Sequence, residues 1–123
     1  MLRASIAAVA AVTAAIVLSA GAFARPAATP TLTGTVGPAF SITMTMNGKA
    51  VKTLKAGSYK LVIHDRASIH AFLLDGPHGY AKDFTTVPFV GTKAFTVKLV
   101  AGKYKYYCPP HEPSMFGRFT VTR

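Results

Sequence analysis

Gly102-Lys103-Tyr104-Lys105-Tyr106-Tyr107-Cys108-Pro109-Pro110-His111-Glu112-Pro113-Ser114-Met115-Phe116-Gly117-Arg118-Phe119-Thr120-Val121-Thr122 reads as a strand, a proline-stiffened loop and a second strand. In the first part a period of two puts Tyr104, Tyr106 and Cys108 on one face and Lys103, Lys105 and Tyr107 on the other. Lysines stay in water, so the thiol of Cys108 is expected to point into a core. Phe116 to Thr122 alternates in the same way and closes the chain.

The pattern extends outward along the sequence. Ala94 to Leu99 alternates, grouping Phe95, Val97 and Leu99, and Ala101-Gly102 turns the chain into the strand that follows. Tyr59 to Asp65 sets Tyr59, Leu61 and Ile63 against Lys60, Val62 and His64. Phe40 to Met46 reads as a further strand, and Asn47-Gly48 after it is a strong hairpin signal. No helical stripe of convincing length occurs. Short strands with turn signals at regular intervals predict an all-β sandwich or barrel.

The 123 residues suit one domain. Residues 1 to 24 differ from the rest: Arg3 near the start, an uncharged alanine-rich run to about Ala20, then Ala22-Phe23-Ala24. That is the layout of a secretory signal peptide, with cleavage after Ala24 preferred to cleavage after Ala22. An uncleaved anchor is the competing reading, since about 20 apolar residues can span a bilayer, but alanine is only weakly apolar. Residues 25–30 read as a proline-bracketed linker and 31–123 as the folded domain. Export would place that domain in the periplasm or outside the cell.

Losing residues 1 to 24 leaves a net charge of +9, 13 cations against four acids. The lysines are spread at strand-like intervals rather than gathered in a block. Such a surface steers a protein towards an acidic partner, a redox protein among them, or towards anionic membrane surfaces. Nucleic acid is not expected, because no recognition helix or aromatic RNA-binding motif accompanies the charge. A monomer is expected.

Cys108 is the sole cysteine and cannot form an internal disulfide. Within eight residues it is joined by an imidazole and a thioether, spaced Cys108-x2-His111-x3-Met115. Thiolate, imidazole and thioether together favour copper, whose electron-transfer sites use two His and one Cys with a weak axial Met. Structural zinc prefers further Cys or His to Met. A binuclear copper centre and covalent haem each need a second cysteine. The second imidazole must come from outside the loop. His70 opens an apolar run just after a bend and is best placed, whereas His64 alternates with Lys60 and Val62, and His78 sits among Gly76, Pro77 and Gly79. Each residue also has a plainer reading, as an inert buried thiol, a core methionine or a stiff turn.

Over nearly all of residues 31 to 123 the chain resembles the cupredoxin family, the group of plastocyanin, azurin, pseudoazurin and amicyanin. The resemblance is carried by Gly102-x-Tyr104-x-Tyr106-x-Cys108, the loop from Cys108 through His111 to Met115 with Gly117 after it, Phe119-Thr120-Val121, and His70 about forty residues upstream. It implies a Greek-key β-sandwich with one copper ion at one end. His70, Cys108 and His111 are then the strong ligands and Met115 the axial one. Many members carry Asn after the first ligand His, where this chain has Ala71. Pro110 has no N–H to offer the Cys108 sulfur, which should leave the thiolate electron-rich and lower the potential.

The four acids, Asp65, Asp75, Asp83 and Glu112, form no catalytic pairing, and an ion with four protein ligands has no open position for substrate. An enzyme is therefore not expected. The expected role is one-electron transfer through the outward edge of His111, among Pro109, Pro110, Pro113 and Phe116. The alternative is a copper carrier or buffer with no dedicated redox role.

Overall fold

The computed structural model describes residues 10–17, 21 and 28–123. Most of the segment read as a signal peptide, and part of the linker, lie outside them. Among the described residues no helix is long and apolar enough to cross a membrane.

Ten strands follow in chain order: β1 (Thr31–Val36), β2 (Ile42–Met46), β3 (Lys49–Ala50), β4 (Thr53–Lys55), β5 (Gly57–Asp65), β6 (Phe72–Asp75), β7 (Ala81–Thr85), β8 (Gly91–Leu99), β9 (Gly102–Tyr107) and β10 (Phe116–Thr122). They form two five-stranded sheets ordered β3-β2-β1-β5-β8 and β4-β10-β9-β6-β7. β1 pairs with β5 in parallel, and β4 with β10 in parallel. The chain crosses repeatedly from one sheet to the other, giving the sandwich that the alternation allowed, with the Greek-key connections that the resemblance implied.

Local chemistry sets several of these elements. Asn47 and Gly48 both have positive φ, 52° and 77°, which makes the β2–β3 connection the two-residue turn whose twist matches its strands. Tyr59, Leu61 and Ile63 are buried, as the alternation of β5 predicts, while Lys60 is exposed. On β9, Tyr104 and Tyr106 are buried and Lys103 is exposed. Inside the second sheet Phe72 stacks on Tyr106 at 5.7 Å, and Phe119 stacks on Tyr104 at 5.0 Å. Gly117 pairs with Tyr106, and a Cβ there would strike the tyrosine ring, so the absent side chain lets the ring lie over the strand. The Tyr104 hydroxyl donates to the carbonyl of Val100 and accepts from its N–H, pinning the β8–β9 turn.

One expectation changes. Phe40 does not begin a strand: β2 starts at Ile42, and Phe40 sits in the connection from β1, 60% exposed. Pro38 precedes it and cannot donate to a strand ladder. The Gly37 N–H instead bonds the Ser41 carbonyl at 2.9 Å, folding residues 37–41 into a tight turn.

The register fixes which loops meet. Val36 pairs with Asp65 and Asp65 with Gly91, so the ends of β1 and β5 and the start of β8 lie together. Leu73 pairs with Tyr107, which places the start of β6 beside the end of β9. Connections 37–41, 66–71, 86–90 and 108–115 thus leave from the ends of the strands around the core that β6 and β9 share. Phe72 is fully buried in that core. Phe72→Ala is expected to cost about 3–5 kcal/mol, read as a lower midpoint in urea denaturation with an unchanged slope.

Candidate metal centre

Cys108 follows the last residue of β9 and continues its inward face, so the strand's alternation delivers the sulfur to the core. A single 3-10 turn at Pro109–His111 then reverses the chain. The loop is closed by its own backbone: the His111 N–H bonds the Cys108 carbonyl, the Met115 N–H bonds the His111 carbonyl, and the Cys108 N–H bonds the Met115 carbonyl, all at 2.9–3.0 Å. Prolines at 109, 110 and 113 have no N–H for this network, and it uses none. Met115 is fully buried and joins the core cluster.

His70 comes from a different part of the chain. β5 ends at Asp65, whose Oδ1 accepts the Ala67 N–H at 3.4 Å, and the Arg66 N–H bonds the Val36 carbonyl. This bend carries residues 66–71 over the end of the sandwich, and the His70 side chain is wholly buried. Its Nδ1 lies 3.7 Å from Cys108 Sγ and 3.2 Å from His111 Nδ1, and His111 Nδ1 lies 3.7 Å from the same sulfur. Among the described residues, this is the group of His, Cys and acidic side chains whose donor atoms converge on one point. The other two histidines lie elsewhere: His64 faces outward from β5 against Thr92, and His78 occupies an exposed turn with a φ of 58°.

The distances bear on what could sit between these atoms. An ion about 2.0–2.1 Å from each nitrogen and about 2.3 Å from sulfur, with the three spread evenly round it, sets the donors roughly 3.5–3.8 Å apart. The observed triangle has that size, with the two nitrogens a little closer. Two imidazole nitrogens and a thiol brought together out of water are costly unless they share a proton or a cation. The Ala71 N–H points at Cys108 Sγ at 3.4 Å, one backbone donor that steadies a thiolate. Ala71 has no polar side chain to tie the two loops together, but its backbone makes a tie of its own. Sequence reading missed this, because backbone donors carry no residue signature.

Tyr107 is next to Cys108 in the chain but faces the opposite way. Its phenol is held above the ordinary tyrosine range by burial first, then by the carboxylates of Asp75, Glu112 and Asp83. Glu112 also pairs with Lys105 at 2.6 Å. These three acids lie towards the outer face of β9, while Asp65 ends β5, and among the described residues no carboxylate joins the donor triangle. Around the loop, Pro109, Pro110, Pro113 and Phe116 are exposed and His111 is half-buried.

No protein-family model matches the chain, and no curated protein sequence matches it either. Solved structures do. Reduced rusticyanin shares 20% identity over 75% of this chain and 78% of its own, with a TM-score of 0.54. A second structure, described as the copper protein rusticyanin, gives 20% identity over 75% and 76% with a TM-score of 0.55. A methionine-to-glutamine variant of amicyanin in the Cu(I) state gives 14% identity over 76% and 83% with a TM-score of 0.50. At these identities the likeness establishes the fold: the sandwich described above is cupredoxin-like.

Burial of Cys108 has a direct chemical consequence. In the metal-free chain its thiol should react with an aromatic disulfide reagent at least about 100-fold more slowly than in the urea-unfolded chain, since a local opening costing ~3 kcal/mol is ordinary for a native protein. Equal rates would contradict the inward placement.

Proposed function

We propose that the chain is an exported type 1 copper protein that carries single electrons between redox partners, with His70, Cys108, His111 and Met115 holding the ion. The observation that carries this reading is the convergence of Cys108 Sγ and the two Nδ1 atoms within 3.7 Å of one another, on a fold shared with copper proteins. A thiolate with two imidazoles and a buried methionine alongside is the donor set for copper rather than zinc. Copper bound there would supply a one-electron couple.

The protein's contribution is rigidity and access. Three anchored pieces of chain hold the donors: the end of β9, the self-bonded loop 108–115, and the bend after β5. Ligands fixed by the fold need move little when charge changes. The His111 ring turns Nδ1 toward the sulfur and is only half-buried, so its opposite edge offers a short way out for an electron. Phe116 lies between Lys105 at 5.2 Å and Arg118 at 5.0 Å, which sets cations beside an apolar contact surface. Farther along the same sheet, Lys52, Lys103 and Arg118 line a hollow of about 290 Å³. This arrangement suits an acidic partner, drawn in by charge and released readily in salt. Residues 1–24 would direct the domain out of the cytoplasm.

Adding cupric ion to the purified chain is expected to give one intense visible band at one equivalent and a reversible couple, and Cys108→Ser is expected to lose the band. A colourless wild-type complex would sink the assignment. Tight cuprous binding without a reversible couple would make the protein a copper carrier instead.

The charge reading is tested separately. The reduced protein should be oxidised faster by anionic hexacyanoferrate(III) than by a cationic cobalt(III) complex of similar driving force. That advantage should shrink as the screening length falls from about 30 Å at 0.01 M salt to about 8 Å at 0.15 M. Rates insensitive to salt would count against an electrostatically steered partner.

A further inference from the structure

Phe40 has no role in the reading above, yet it is the large apolar residue most out of place within the folded domain. It is 60% exposed, in the turn after β1. Its ring stands edge-on to both imidazoles, 5.4 Å from His70 at 77° and 4.8 Å from His111 at 88°. The two imidazoles are themselves near-perpendicular at 5.0 Å, so three rings close on one another in the geometry that aromatic quadrupoles favour.

His70 shows why such a contact matters. A metal-binding histidine ordinarily fixes its ring by donating its second N–H to a carboxylate, a carbonyl or water. His70 Nε2 is buried with no hydrogen-bond partner among the described residues. The orientation of the ring therefore rests on packing, and the turn 37–41 supplies it. Gly37, at a φ of +73°, approaches so closely that a Cβ there would lie 2.9 Å from His70 Cδ2 and 3.1 Å from the Ala67 Cβ. Gly37 presses on the ring through backbone, and Phe40 meets it edge-on.

We infer that Phe40 is a positioning residue of the metal centre: with Gly37 it holds the His70 and His111 rings in their binding orientation and keeps water from them. This rests on the copper reading. An apolar cover lowers the local dielectric and disfavours the more highly charged oxidised state, so it raises the reduction potential. It also hinders a competing chelator from reaching the ion.

The test compares copper-loaded wild type, Phe40→Ala, Phe40→Leu, Phe40→Tyr and, as a control at the opposite end of the sandwich, Val100→Ala. If wild type gives no blue band, the copper reading has failed and the variants are irrelevant to it. With the band present, Phe40→Ala should lose copper to a chelator about 10-fold faster or more, the scale found when groups behind metal ligands are removed. Its potential should fall below wild type. Phe40→Tyr should restore both properties, Phe40→Leu should lie between, and Val100→Ala should match wild type. Phe40 is largely exposed, so urea midpoints of the metal-free variants should agree with that of wild type; if Phe40→Ala does not fold, Phe40→Leu carries the comparison. Wild-type chelation rates and potential in the folded Phe40 variants would overturn the inference.

Discussion

One thiol and two imidazoles, two of the three groups fully buried and all with donor atoms within 3.7 Å of one another, are the constraint around which this end of the molecule is arranged. Left alone, such groups would be destabilising, because each loses hydrogen bonds to water and gains few in return. Among the described residues, Cys108 receives one backbone donor, from Ala71, and His70 Nε2 has no hydrogen-bond partner. A shared cation turns that cost into a binding site. The surrounding structure follows from holding the three groups still: a loop that bonds to itself, a bend tied back to β1, and a glycine pressed against an imidazole.

The body of the sandwich makes this stillness affordable. Phe72, Tyr106, Phe119 and Tyr104 pack along the inner face of the sheet that carries Cys108, and Leu61 and Ile63 meet them from the other sheet. A close-packed interior resists small displacements, so strand ends that rest on it are poor hinges. The donors come from the ends of such strands. Parallel pairing of β1 with β5 matters for the same reason, because it brings the turn 37–41 to the end where the bend after β5 emerges.

Much of this was readable from residue types. The lysines at 103 and 105 oriented Cys108, the pair Asn47-Gly48 marked a hairpin, and the alternation in Tyr59 to Asp65 separated core from surface. Each is a local rule, in which the residue and its neighbours within a few positions hold the information. The cluster Cys108, His111 and Met115 was legible for the same reason, being carried by one short loop. His64 could be set behind His70 because it alternates with Lys60 and Val62 on an outward face, and the structure places it against Thr92.

Other features depended on contacts that no local rule encodes. Phe40 read as a strand residue and proved to be a turn residue lying against two histidines distant in the chain, His70 and His111. The Ala71 N–H on the sulfur is a backbone contact, invisible to residue chemistry. The sequence by itself determined the all-strand body, the inward sulfur and the identities of the soft donors, because alternation and residue chemistry act over a few neighbours. Only the tertiary structure decided that His70 meets Cys108 and His111, and that Gly37 and Phe40 brace the rings, because those distances depend on which sheet edges and loops the pairing register brings to the same end.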